Sequence, residues 1–322
     1  MTKMNVNVNP TFHLRVDHTK RDVPILESKW FKNPEHFIVD RFPLQLDIET
    51  NTVCNLRCEK CFFTTENIEP RDMSLMLLKK VIREGSYKGL ESIKLAYRGE
   101  PLLYFHLIEA IRFAKQFEIQ HVSFNTNGLL LTPEMADNLV DSGLDAIYIS
   151  VDSYIPEIYN KLHVGGSFSV VMMNILNLQS HKKFKQKTTP ILRIQQVVQP
   201  DNEHENGFYV KFWEDIADQV SQVEYLPYYD IEPQPVVMED WACPQLWQRL
   251  FVLVDGSVQP CCFLYADKVG NVNLQSIEEI WNGEKMNRFR RLHKEGKSHE
   301  IPMCASCYMR KHEYKKAEIK KI

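Results

Sequence analysis

The chain has no apolar run approaching the roughly 18 residues of a membrane span. It has no surplus of positive charge either: 39 Lys and Arg face 42 Asp and Glu, a net charge of −3 over 322 residues. The first lack argues against a membrane partner, the second against nucleic acid. The first ten residues contain no apolar stretch of the kind that directs secretion, so a cytoplasmic protein is expected. Internal repeats and low-complexity segments are missing. Composition does not indicate disorder, because 44% of residues are hydrophobic and 25% charged, as in folded domains. The Lys-rich end (Lys315, Lys316, Lys320, Lys321) reads as a solvated tail.

What the chain does have is eight cysteines. In a cytosolic protein, two spaced groups of Cys point to metal rather than to disulfides. The first group is Cys54-x3-Cys58-x2-Cys61, just after a predicted strand. Three thiolates on one short loop can hold three irons of a 4Fe–4S cluster and leave the fourth iron without a protein ligand. Four cysteines close a cluster for electron transfer; three keep a coordination position for a substrate or cofactor. Zinc is the chemical alternative, but it usually takes four ligands in two separated pairs.

The spacing resembles that of the radical S-adenosylmethionine (SAM) enzymes. The resemblance implies that the open iron chelates the amino and carboxylate groups of SAM. Reduction by a flavodoxin- or ferredoxin-type partner then yields a 5′-deoxyadenosyl radical. It also implies an α/β fold, a partial (β/α)6 TIM-like barrel. The residue pattern agrees. Strand-like runs at Leu44–Thr50, Ser92–Tyr97, Gln120–Asn125, Ala146–Val151, Ile191–Gln199 and Gln222–Tyr228 alternate with helix-like stretches, including Ser74–Glu84 and Thr132–Asp141. Such alternation predicts parallel strands with crossover helices, and active residues at the strands' C-terminal ends.

Residues 1–43 form an N-terminal extension with Trp30 and Phe31 as aromatic anchors, expected to pack on the barrel of residues 44–235. Ile231–Asp240, with Pro233 and Pro235, reads as a linker to a Cys-rich unit over 240–322. In that unit we expect strands at Phe251–Val254 and Ser257–Gln259 and one helix from Ile277 to His293.

Motifs recur at the strand ends. Arg98-Gly99-Glu100-Pro101 resembles the Gly-Gly-Glu-type turn of the family, which implies that Gly99 and Glu100 meet the SAM ammonium. Asn125-Thr126-Asn127-Gly128 resembles the family's Thr-Asn-Gly turn, with Asn127 as its cofactor-side residue. Ser150 and Asp152 end the fourth strand; the resemblance assigns them to the ribose hydroxyls, and structural capping is the competing role. Arg193 and Gln195 alternate with apolar residues and point one way. If that way is inward, Arg193 can pair with the SAM carboxylate; an outward ion pair is the alternative. One position departs from the pattern. Lys60 precedes the third cysteine where the family has an apolar residue, so Phe62 or Phe63 is the candidate for stacking on adenine.

The second group is Cys243-x17-Cys261, then Cys304-x2-Cys307, with Cys262 beside Cys261. This resembles the SPASM/Twitch domains of radical SAM enzymes over about residues 240–310. Four thiolates can close one auxiliary 4Fe–4S cluster, with Cys243, Cys261, Cys304 and Cys307 as the expected ligands. A structural zinc on the same four is the rival. Cys262 is then spare, either a small buried hydrophobe or a hydrogen-atom donor to the substrate radical. The single four-cysteine auxiliary site looks like that of an aminocyclitol dehydrogenase in this family. Oxidation of a sugar or cyclitol is therefore the leading reaction, and modification of a ribosomal peptide, by epimerisation or cross-linking, is the alternative.

Overall fold

In the computed structural model, side-chain polarity splits the central sheet into two unlike faces. The structure describes residues 5–8, 15–19, 27–226, 237–238 and 241–319. Eleven strands form one sheet: β1 Asn5–Val8, β2 Arg15–Thr19, β3 Gln45–Ile48, β4 Ser92–Lys94, β5 His121–Thr126, β6 Ala146–Ser150, β7 Ile191–Val198, β8 Gln219–Glu224, β9 Arg249–Val252, β10 Ser257–Gln259 and β11 Gly270–Asn271. Their spatial order is β1-β2-β8-β7-β6-β5-β4-β3-β9-β10-β11.

The six strands β3 to β8 are all parallel and sequential neighbours. This is the partial barrel the sequence predicted, and it gives the chain an α/β fold. In chain order the helices are α1 Glu27–Glu35, α2 Phe62–Thr65, α3 Leu75–Lys88, α4 Leu107–Gln116, α5 Pro133–Asp141, α6 Pro156–Leu162, α7 Phe168–Phe184, α8 Asn206–Trp213, α9 Ile277–Trp281, α10 Glu284–Lys294, α11 Pro302–Ala305 and α12 Tyr308–Ile319. Helices α3 to α8 are the crossovers. Thr132 caps α5 as expected, its side chain accepting from Met135 N, with Pro133 in the first turn.

One face of the barrel sheet carries Leu46, Ile93, Phe124, Ile147, Leu192 and Val220, buried in one core with α3, α4, α5 and α7. Residues two apart on a strand share a face, so the alternate positions form the inner face. That face is polar: Asp47, Lys94, Ser123 and Asn125, Tyr148 and Ser150, Arg193 and Gln195, Gln219 and Ser221. Parallel strands buried on both sides normally read as continuous apolar runs. The alternation here means that the concave side lines a polar lumen.

Neither barrel edge is left bare, which removes a template for edge pairing. The β1–β2 hairpin of the N-terminal extension pairs antiparallel with β8. At the other edge β9 pairs parallel with β3, and β10 and β11 follow antiparallel. The C-terminal cysteine unit therefore continues the barrel sheet. Helix α1 bears Trp30, whose ring lies 4.6 Å from the Arg249 guanidinium carbon at the lumen's N-terminal end. Gln248 Nε2 donates to Trp30 O at 2.7 Å.

Two expectations change. The sixth strand starts at Gln219, three residues earlier than expected, because the Asp218 carboxylate accepts from Leu192 N and from buried Lys182 and fixes the strand's entry. The expected end of that strand, Tyr228, lies outside the described residues, as does most of the Ile231–Asp240 linker. The helix expected over 277–293 is two helices that break at Gly283. An added Cβ there would sit 2.9 Å from Glu279 O, so a glycine permits the tight break. Arg290 then packs under the bend, donating to Trp281 O at 2.8 Å.

Candidate active site

The first cysteine loop lies at the C-terminal mouth of the barrel, between β3 and α3. Cys54, Cys58 and Cys61 are all half-exposed. Leu56 N donates to Cys54 Sγ at 3.4 Å. Burial, with the neighbouring Cys61 and Cys54 thiols adding to it, pushes the Cys58 thiol up to about 12. Burial raises Cys54 as well. Metal binding to such thiols must displace protons.

Glu100 joins this loop to the next two strand ends. It is buried and accepts three bonds: from Leu102 N at 3.0 Å, Thr126 Oγ1 at 2.6 Å and Asn127 N at 2.8 Å. Burial raises its carboxyl pKa, against the pull of these donors. An ionised carboxylate offers about four lone-pair sites, so most of Glu100 is spent on its own scaffold. Asn127 Nδ2 donates to Asn55 Oδ1 at 2.8 Å, directly onto the cysteine loop. Gly99 is needed for close approach. An added Cβ would lie 1.9 Å from Asn51 Oδ1 and 2.5 Å from Asn51 O. Asn51 in turn donates to Glu100 O at 2.9 Å. Arg98, in the first glycine position of the motif, pairs bidentately with Glu49, one arm at 2.6 Å. Glu49 is fully buried and also accepts from Val254 N, so this pair ties the turn to the C-terminal unit.

The remaining sequence candidates are spread across the mouth and the lumen. Ser150 faces inward at the end of β6. Asp152 is engaged within the protein: Oδ1 accepts from Val197 N at 2.8 Å, and Oδ2 lies 3.1 Å from His163 Nε2. His163 Nδ1 is 3.7 Å from Cys58 Sγ, so His163 stands between Asp152 and the cysteine loop. Arg193 points inward but one layer below Ser150. It donates to Gln219 Oε1 at 2.7 Å and stacks 4.6 Å over Tyr148. Lys60 turns away to Asp201 at 3.1 Å. The Phe62 ring packs 6.5 Å from Tyr97; the Phe63 side chain lies outside the described residues.

The second cysteine group converges. Cys243, Cys261, Cys262, Cys304 and Cys307 line one cavity, with Gln245, His293, Tyr308 and Arg310 in its wall. Tyr97 joins this cavity to the first loop, its phenol donating to Cys262 O at 3.4 Å. Cys262, expected as the spare thiol, turns its sulfur into the same cavity, 3.4 Å from Gln245 Nε2 and 3.7 Å from Tyr308 Oη.

The donor set fits an iron–sulfur cluster. Cys243 accepts from the backbone of Gln245, and Cys307 from the backbone of Met309 and Arg310. N–H groups aimed at sulfur stabilise thiolate over thiol. Without metal, burial raises all four expected ligands, Cys243 to about 12 and Cys307 to about 11.

Sequence reasoning missed Asn51, Glu49, His163, His293 and Gln245. Asn51, Glu49, His163 and His293 each reach a partner about 50 or more residues away, and Gln245 reaches Cys262 across 17 residues; no local spacing marks them. Gly99 alone hinted at Asn51, since a glycine inside a motif signals close approach.

The comparisons agree with this geometry. Residues 48–192 match the radical SAM superfamily, and residues 243–308 match the SPASM iron–sulfur cluster-binding domain. A probable GTP 3′,8-cyclase of Methanococcus maripaludis is 37% identical over 123 residues, covering 38% of this chain and 41% of that protein. The chain thus spans less than half of that relative's length. A Pyrococcus furiosus tungsten-containing aldehyde ferredoxin oxidoreductase cofactor-modifying protein is 24% identical, covering 82% of this chain and 87% of its own. Among solved structures, BtrN in complex with AdoMet and 2-DOIA superposes with a TM-score of 0.56 at 20% identity, over 84% of this chain and 94% of BtrN. Streptococcus suis SuiB bound to S-adenosylmethionine gives 0.60 at 16% identity, over 86% and 74%. The chain belongs to the radical SAM superfamily, with a C-terminal SPASM domain after its partial barrel, and these two domains imply a SAM-binding 4Fe–4S cluster, auxiliary iron–sulfur binding and SAM.

Proposed function

We propose that this enzyme oxidises a small polyhydroxylated molecule, a sugar or aminocyclitol, held in the barrel lumen, with Cys54, Cys58 and Cys61 holding the SAM-binding cluster. The observation that carries the reading is the polar inner face. Ser123, Asn125, Ser150, Gln195 and Ser221 alternate with an apolar outer face on consecutive strands. Neutral hydroxyl and amide groups both donate and accept, which suits a ligand rich in hydroxyls. Asn125 Oδ1 and Arg249 Nε, both at inward-facing positions, are buried and have no hydrogen-bond partner among the described residues. Buried polar atoms without partners ask for a ligand or water.

When bound, the clusters supply the electron that cleaves SAM to a hydrogen-abstracting 5′-deoxyadenosyl radical, and an acceptor for the electron the substrate gives up. The protein's own part is positional. Gly99, Glu100 and Asn127 set the loop that would hold the methionyl end of SAM. Ser150 offers a hydroxyl at the mouth. Asp152, through His163, steadies the Cys58 side. Tyr97 keeps its proton, because burial raises its phenol pKa, and stands between the two cysteine groups as a fixed donor.

Likeness to BtrN over nearly its whole length supports this reading. The likeness to SuiB, including SuiB bound to precursor peptide SuiA, supports peptide modification as the second reading. The test is a screen of reconstituted enzyme with SAM and dithionite against polyols and aminocyclitols deuterated at carbinol carbons. Deuterium should appear in 5′-deoxyadenosine with one of them. If only peptides stimulate SAM cleavage, the reading is wrong. A peptide epimerase that used Cys262 as donor would place deuterium from heavy water in its product and lose it on Cys262→Ala.

A further inference from the structure

The auxiliary cavity contains a histidine whose two ring nitrogens touch two different cysteine residues. His293 projects from α10 and is 2% exposed. Its Nδ1 accepts from Cys243 N at 3.1 Å, and its Nε2 lies 3.4 Å from Cys304 Sγ. The Trp241 ring packs 5.9 Å away and helps keep water out.

The backbone amide has only a hydrogen to offer, so Nδ1 must be the ring's bare nitrogen. A neutral imidazole carries its single proton on the other nitrogen. The protein therefore fixes the tautomer with a bond that no side-chain rearrangement supplies, and aims the remaining N–H at Cys304 Sγ. Outer partners of this type orient a ligand and tune the bound group, and hydrogen bonds to cluster sulfurs are among the settings of cluster potential.

We propose that His293 is a positioning residue for the auxiliary cluster: it clamps Cys243 to Cys304 and, by donating to the Cys304 thiolate, raises the reduction potential of the cluster those residues hold. Reduction adds one electron and one negative charge to the cluster. A donor on its thiolate is stronger in that state, so the donor favours the reduced form. This inference deepens the proposed function, because an electron acceptor needs a potential high enough to be reduced by a substrate radical, and it rests on the reading of the second cysteine group as an iron–sulfur site. Neither ring nitrogen belongs to an expected iron ligand, and sequence spacing alone does not bring position 293 to position 243.

The test is an EPR-monitored redox titration of the reconstituted full-length protein, with iron content measured on the same samples. His293→Phe keeps the ring and removes the donor. His293→Gln keeps an amide N–H able to reach sulfur. At a fixed potential, His293→Phe should lower the reduced-to-oxidised ratio of the auxiliary cluster about tenfold, equal to about 59 mV for one electron. His293→Gln should recover part of that shift, and the SAM-binding cluster should titrate as in wild type. A fully loaded His293→Phe protein with an unchanged auxiliary potential overturns the proposal. If His293→Phe fails to load, His293→Leu supplies the donor-free site: a loaded His293→Leu protein with a lowered auxiliary potential sustains the proposal, and one with the wild-type potential overturns it. If the wild type itself shows no second cluster, the underlying reading fails, and the missing iron distinguishes that result from an unchanged potential.

Discussion

Gly99→Ala is expected to weaken SAM binding by more than about tenfold, about 1.4 kcal/mol, while both clusters still load. The Cβ would fall 1.9 Å from Asn51 Oδ1 and 2.5 Å from Asn51 O. The second contact is with backbone and cannot be relieved by a rotamer. Overpacking of this kind typically costs about 1–3 kcal/mol. Here the displaced group is part of the site. Asn51 accepts from Val53 N at 3.2 Å and donates to Glu100 O at 2.9 Å, so it holds the cysteine loop against the Arg98–Pro101 turn. The cysteines themselves are untouched, so iron content should stay at the wild-type value. Equilibrium binding of SAM to the reconstituted protein, with circular dichroism as a control for folding, decides the point. Wild-type affinity in a folded Gly99→Ala protein would show that the turn does not meet the cofactor.

The double variant Cys304→Ala, Cys307→Ala should lose about four of about eight irons and still cleave SAM under dithionite. Cys304 lies in the short helix α11 and Cys307 just beyond it, and both face the cavity that Cys243 and Cys261 also line. With half of the expected ligand set gone, the auxiliary cluster has too few thiolates to close. The surrounding unit keeps its own packed core, in which Trp247, Trp281, Met286 and Phe289 are all buried, and its sheet remains bonded to the barrel through β9 and β3. Unfolding of the whole chain is therefore not expected. Iron and sulfide assay together with 5′-deoxyadenosine release measures both halves of the statement. Loss of SAM cleavage along with the auxiliary iron would mean that the two sites are not separable.

The fold was legible because each level of the sequence carried the same message. Six apolar runs separated by helix-like stretches gave the parallel strands to within a few residues, and Thr132-Pro133 marked a helix start to the residue. The cysteine loop was legible because its chemistry is local: three thiolates within eight positions. What was not legible is everything that depends on long-range contact. Glu100 read as a ligand to an ammonium, yet its carboxylate mainly bolts its own turn after β4 to the end of β5. Asp152 read as a ribose partner, yet it leads through His163 towards Cys58. Arg193 read correctly as sharing a face with Gln195, but its depth in the lumen and its stacking on Tyr148 depend on strand register, which no single strand reveals. The break at Gly283 was not read, although apolar spacing lapses there: Trp281 and Met286 are five residues apart, with Glu284 and Lys285 where one continuous helix would place its apolar face.

The most direct test is anaerobic iron and sulfide content with EPR, comparing wild type with a variant in which Cys54, Cys58 and Cys61 are all alanine. A protein with one SAM-binding cluster and one auxiliary cluster should hold about eight irons, falling to about four in the triple variant, with SAM perturbing only the wild-type signal. About four irons falling to none would contradict the account: the C-terminal cysteines would then hold no iron–sulfur cluster, and oxidation with an internal electron acceptor would have to be abandoned.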